Sequence, residues 1–150
     1  MLTNPSELND LTRDIIGSAI QVHRELGPGL LESVYSACLT AELRLRNHQV
    51  GLKIPVPLVY REVRIEVAYW IDMLVDDRVI VELKSVEKLA PIHQAQLLTY
   101  LRLTSRPIGL LINFNEVMLK NGVKRLVNPK AKMSGRGLIP FPPSPPLTPT

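Results

Sequence analysis

The stretch Ile71-Asp72-Met73-Leu74-Val75-Asp76-Asp77-Arg78-Val79-Ile80-Val81-Glu82-Leu83-Lys84 decides how this chain is read. Two apolar runs flank a polar turn at Asp76-Asp77, the composition of a β-hairpin whose strands are largely buried. Each run nevertheless carries charge, Asp72 inside the first and Glu82 and Lys84 closing the second. Side chains alternate along a strand, so Glu82 and Lys84 share one face while Val81 and Leu83 take the other. A carboxylate and an ammonium in a buried strand cost free energy unless each is paired or holds a metal.

The turn decides whether Asp72 can join them. Directly opposed residues of an antiparallel pair share a face. A loop of only Asp76-Asp77 would set Asp72 against Val81, on the wrong face, whereas the loop Asp76-Asp77-Arg78 sets it against Glu82. A slip of one residue inverts every side chain, so a metal site here requires the longer loop or a bulge. In that register Asp72, Glu82 and the Leu83 backbone carbonyl are oxygen ligands suited to Mg2+ or Mn2+. Such a centre acidifies a bound water and neutralises a scissile phosphate, and Lys84 supplies a mobile point charge beside it.

A chain of 150 residues, 45% hydrophobic and 21% charged, fits one soluble globular domain with a real core. The net charge of +4 is unevenly placed, because residues 117–150 hold six Lys or Arg and no acid. Taking those six from eighteen leaves twelve basic against fourteen acidic residues, a net of −2 for the rest. Net charge therefore gives the body little attraction for nucleic acid. A single cysteine, Cys38, excludes an internal disulfide and a multi-cysteine zinc site. No signal peptide or membrane-length apolar run is present, so the expected location is cytoplasmic with no membrane contact.

Along the chain, Ser6 is expected to cap a first helix with Leu8, Leu11, Ile15, Ala19, Val22 and Leu26 on one face, ending near Gly27-Pro28-Gly29. A second helix, Leu30 to Asn47, is expected to bury Leu31, Val34, Cys38, Ala41 and Leu45, with Glu32 off the centre of that stripe. Three strands cover residues 53 to 84, Pro55 and Pro57 marking the first as an edge. Pro91 opens a third helix reaching roughly Leu103, and Ile108 to Phe114 is a buried strand. Asn121-Gly122 signals a tight hairpin into Val123-Val127. The order predicts an α+β domain over residues 1–128, one mixed sheet with helices packed against it. Residues 129–150 read as a Pro-rich, basic, disordered tail, whose Pro142 to Pro149 resembles a ligand for a proline-recognising partner.

The third helix adds a polar stripe, His93, Gln96 and Tyr100, at three- and four-residue steps. Following directly after the Glu82-Lys84 strand, it would bring Gln96 and Tyr100 to the same sheet edge, where they could hold phosphate or orient Lys84. His93 reads first as a surface or capping residue.

Gly29-Leu30-Leu31-Glu32-Ser33-Val34-Tyr35 matches a Gly-x-x-Glu-x-x-Tyr signature, and the chain from about Leu11 to Val127 resembles the small prokaryotic family named after it. That family is placed among PD-(D/E)XK nuclease-like folds. The resemblance implies a restriction-endonuclease-like αβββαβ core and a divalent-metal phosphodiesterase centre. It implies Asp72 in the aspartate position, Glu82 and Lys84 in the acid-x-lysine position, and Glu32 as the helix glutamate preceding the sheet. Gln96-Leu97-Leu98-Thr99-Tyr100 is similar to the Gln-x-x-x-Tyr motif of exonuclease-like branches. The expected activity is metal-dependent hydrolysis of DNA or RNA, the expected partner nucleic acid, DNA foremost, with a homodimer able to supply the basic surface that the body lacks. The alternative class is an inactive module of the same fold that binds nucleic acid or a partner protein, marked by splayed carboxylates or a Lys84 turned into the core. A third is a structural protein in which Glu82 and Lys84 pair with each other and with Arg64 or Arg78.

Overall fold

A computed structural model describes residues 4–129. Two helices, α1 (Pro5–Leu26) and α2 (Glu32–Leu45), precede strands β1 (Val50–Tyr60), β2 (Val63–Val75) and β3 (Val79–Lys84). Helix α3 (Pro91–Thr104), strand β4 (Ile108–Asn113), a 3-10 turn (Leu119–Gly122) and strand β5 (Val123–Val127) follow. The five strands form one mixed sheet in chain order, antiparallel except for the β3–β4 pair. Parallel neighbours need a crossover, and α3 supplies it. The αβββαβ order expected by resemblance is therefore present, and β1 is the edge strand that its two prolines suggested.

Two cores sandwich the sheet. Met73, Val75, Val79, Val81, Leu83, Leu110 and Ile112 pack against α1 and α2, whereas Ile71, Leu74, Ile80 and Leu111 pack against Leu97 and Leu101 of α3. Gly109 lets α3 lie close, since a Cβ there would meet Leu97 Cδ1 at 2.8 Å. The outer half of the β1–β2 hairpin extends past both helix layers, leaving Val59, Tyr60, Val63, Ile65 and Val67 exposed.

Three local expectations are corrected. Asn4, not Ser6, caps α1: its Oδ1 accepts from the Ser6 amide at 3.0 Å, and Pro5 occupies the first turn. The buried stripe of α2 is Tyr35, Leu39, Thr40 and Leu43, one position round from the expected stripe. Leu31 and Leu45 are instead exposed, and Cys38 is only partly covered. The helix rotates that way because Tyr35 stacks on Phe114, with centroids 4.4 Å apart. Asn121-Gly122 closes a 3-10 turn rather than a two-residue hairpin, and Ile112 pairs with Val123 across a longer connection. Gly122 is there for space, since a Cβ would meet the Asn113 carbonyl at 2.5 Å. The expected disorder and proline-mediated partnering of the tail fall on residues 130–150, outside the described residues.

Candidate active site

The β2–β3 ladder pairs Val75 with Val79, Leu74 with Ile80 and Met73 with Val81. The loop is therefore Asp76-Asp77-Arg78, the longer alternative, and the register carries Asp72 to a position opposite Glu82. The Asp72 amide donates to Glu82 Oε1 at 3.4 Å. Glu82 is only 7% exposed. Burial, the neighbouring charge of Asp72 and a side-chain hydrogen bond with it push the Glu82 carboxyl up to about 8. Lys84, half-buried at the end of β3, counters that shift through its charge.

Strand alternation does not run unbroken through Asp72. Ile71 and Leu74 both pack on the α3 side, while Met73 and Val75 pack on the other. Lys53 faces this point, for Leu52 pairs with Met73 and Ile54 with Ile71. Its backbone takes a left-handed φ of 50°, a conformation that few non-glycine residues adopt. The paired irregularities turn both strands over at Asp72.

The Gly29–Tyr35 segment acquires a structural meaning. Gly29 has φ 93°, which permits the sharp turn from α1 into α2. The Tyr35 hydroxyl donates to the Gly27 carbonyl at 2.6 Å and accepts from the Leu30 amide at 3.1 Å, tying the turn to the helix it precedes. Ser85, the residue after Lys84, donates to the Leu30 carbonyl at 2.6 Å. Together these bonds bring Glu32, the first residue of α2, toward the end of β3. Its carboxyl is raised by burial and then by the charge of Asp72, with Lys84 acting the other way. Glu32 therefore lies within electrostatic reach of both residues.

Asn113, fully buried at the end of β4, fixes the chain beyond Lys84. It accepts from the Val86 amide at 3.1 Å and donates to the Val86 carbonyl at 2.9 Å. The Phe114 amide donates to the Lys84 carbonyl at 2.9 Å. The sequence offered no signal for this role, since a buried asparagine becomes recognisable only once its chain neighbours are known.

On α3 the expected stripe divides. His93 accepts from the Ala90 amide at 3.0 Å and so caps its own helix. Gln96 is exposed, with no hydrogen bond among the described residues. Tyr100 stacks on Tyr69 of β2, centroids 4.1 Å apart and rings 10° from parallel. Burial first, then the charges of Glu82 and Asp72, raise the Tyr100 phenol. Sequence reading missed Tyr69, because unbroken alternation would set it on the opposite face from Glu82.

Two adjacent carboxylates, one buried and resisting ionisation, are a donor set that a hard dication with several waters would satisfy. Among the described residues no three His, Cys, Asp or Glu side chains converge closely enough to surround an ion. The fit is therefore to an open site built on Asp72 and Glu82, with Leu83 offering only a carbonyl because its side chain is in the core. Simple ion pairing does not account for Glu82. Arg64 engages Glu66 at 3.0 Å, and Arg78 reaches Glu7 at 3.7 Å.

A mixed sheet with this crossover and an aspartate set against an acid-x-lysine strand defines a nuclease-type α+β domain. The family model described as the PD-(D/E)XK nuclease superfamily matches residues 9–126, and the chain belongs to that superfamily. Comparison with curated proteins and with solved structures found no match. Among the described residues no helix is long and apolar enough to cross a membrane.

Proposed function

We propose that this chain is a Mg2+- or Mn2+-dependent nuclease that hydrolyses phosphodiester bonds, DNA being the first substrate to test. The observation that carries the reading is the Asp72–Glu82 pair, a buried carboxyl held against a second one with Lys84 nearby. A protein core does not retain such a pair cheaply, and a divalent cation relieves both the repulsion and the desolvation. Asp72 and Glu82 would hold the metal, the Leu83 carbonyl adding an oxygen donor, while Glu32, which does not converge with them into a three-carboxylate cluster, would act on the ion through a bound water or through its charge. When bound, the ion supplies an acidified water and a counter-charge for the phosphate.

The other steps fall to this chain's own side chains. Lys84 orients the attacking water or stabilises the charge that grows on the phosphorane oxygens. Tyr100 and Gln96 position phosphate from α3, the exposed Gln96 making its contact on arrival of substrate. The Asn113 and Ser85 bonds keep Lys84 and Glu32 in one geometry, and such positioning is worth much of a catalytic rate.

Labelled single-stranded DNA, duplex DNA and RNA are incubated with Mg2+, with Mn2+ and with chelator, beside Glu82→Ala and Lys84→Ala. Metal-dependent cleavage lost in both variants supports the reading and names the substrate. A folded protein that neither cuts nor binds metal sinks the reading and makes the inactive module that binds nucleic acid or a partner protein the next one to test.

A further inference from the structure

The Tyr69 hydroxyl is buried and has no hydrogen-bond partner among the described residues. A phenol O–H left in this state costs about 1–3 kcal/mol, and an unsatisfied buried group in a folded protein calls for an explanation. Packing alone does not provide one. The ring is already held by its stack on Tyr100, and phenylalanine would keep that stack without the penalty. Tyr69 also belongs to the stretch just before the strand reversal at Asp72, and that reversal sets its ring on the same side of the sheet as Ile80 and α3.

We propose that Tyr69 is a positioning residue of the metal centre, its phenol O–H donating to the Glu82 carboxylate when that carboxylate holds a divalent cation. This rests on the nuclease reading above. The geometry supports it: the partnerless hydroxyl, its ring stacked on Tyr100, lies on the α3 side of the sheet, the side that Ile80 takes and that strand alternation gives to Glu82 two residues on. Glu82 is close enough to bear electrostatically on Tyr69, as is Tyr100. A phenol is protonated at neutral pH in any case, and burial first, with the charges of Tyr100 and Glu82 second, moves Tyr69 further from ionisation. A metal-bound carboxylate keeps an oxygen lone pair for an outer donor, and such donors orient the ligand and tune its basicity. The stack on Tyr100 sets the ring plane, so α3 and β2 together aim the O–H.

A structural tyrosine and a positioning tyrosine respond in opposite ways to loss of the hydroxyl. Tyr69→Phe is compared with the wild-type protein by thermal unfolding without metal and by calorimetric titration with Mn2+ alone. The expected result is a metal-free Tm equal to or above wild type, with a Kd for Mn2+ weakened about 10- to 100-fold. An unchanged Kd overturns the proposal, and so does a weakened Kd accompanied by a lowered metal-free Tm, which marks Tyr69 as structural. A wild-type protein that binds no Mn2+ removes the metal centre and this proposal with it. A wild-type protein that binds Mn2+ but cuts no nucleic acid sinks the nuclease reading, while the ratio of the two Kd values still decides the role of Tyr69.

Discussion

Lys53 stands across the β1–β2 ladder from Asp72, and it is the Lys53 backbone, at φ 50°, that lets the two strands turn over where the site begins. A β-branched residue is a poor substitute at a left-handed position, although valine is the better strand former by propensity. Lys53→Val is expected to lower stability by about 1–2 kcal/mol, whereas Lys53→Asn, which tolerates that region, is close to neutral. Urea unfolding of the two variants separates backbone geometry from strand propensity. A stabilised Lys53→Val would show that the reversal is not held by this residue.

The raised Glu82 carboxyl gives the metal-free protein a pH dependence of definite sign. Its folded value of about 8 lies above the ordinary 4.5, so the folded state holds the proton more tightly than the unfolded chain does. That contribution is full below about 4.5 and is lost as pH rises toward 8. Glu82→Gln removes the slope and leaves the metal-free variant more stable than wild type at pH 9, by an amount on the order of a few kcal/mol. Denaturation midpoints at intervals from pH 5 to 9 for both proteins provide the check, and parallel curves would refute the assignment.

A second pH effect lies at the β2–β3 turn, at the other end of β3 from Lys84. His48 Nδ1 donates to Asp76 at 2.7 Å and Nε2 to Asp14, while Arg46 holds the other Asp14 oxygen at 2.8 Å. Both imidazole partners are carboxylates, which only accept, so both ring nitrogens carry hydrogen. Desolvation lowers the His48 value, but the bonds to Asp14 and Asp76 and their charges outweigh it, and the net shift is upward. Asp14 is lowered, first by its bond to His48. The His48 contribution is therefore complete below its ordinary 6.5 and is lost as pH rises through the higher folded value. The Asp14 contribution is present above 3.8 and is lost in acid. His48→Gln should flatten the alkaline fall in a Glu82→Gln background, where the Glu82 slope is already gone, and an unchanged curve there would discount the staple.

The sheet was legible because β3 and β4 are short continuous apolar runs, buried on both faces, and because the polar turn at Asp76-Asp77-Arg78 allowed only two registers, one of which brings the acids together. The face of α2 was less legible. Leu31, Val34, Cys38, Ala41 and Leu45 repeat at helical spacing as well as Tyr35, Leu39 and Leu43 do, and only the Phe114 ring, distant in sequence, selects between them. Tyr69 was hidden for a related reason. Its side of the sheet depends on a strand reversal whose cause is one lysine's backbone on the neighbouring strand, and neither propensity nor alternation encodes that.

Tyr35 offers the sharpest separation between scaffold and site. Its ring is fully buried against Phe114, and that contact survives Tyr35→Phe. The two hydroxyl bonds to Gly27 and Leu30 do not survive. Because Leu30 is exposed, water can replace part of the loss, and the cost should stay near 1 kcal/mol. The loop that aims Glu32 is nevertheless released, so cleavage should fall by more than the change in folded fraction explains. If Glu32 acts through this geometry, Tyr35→Phe and Glu32→Gln impair the same function, and the double variant should be little worse than the poorer single one. Initial cleavage rates of the four proteins, measured well below the lowest Tm, make that comparison. Fully additive losses would mean that the tyrosine serves the fold and leaves Glu32 where it is.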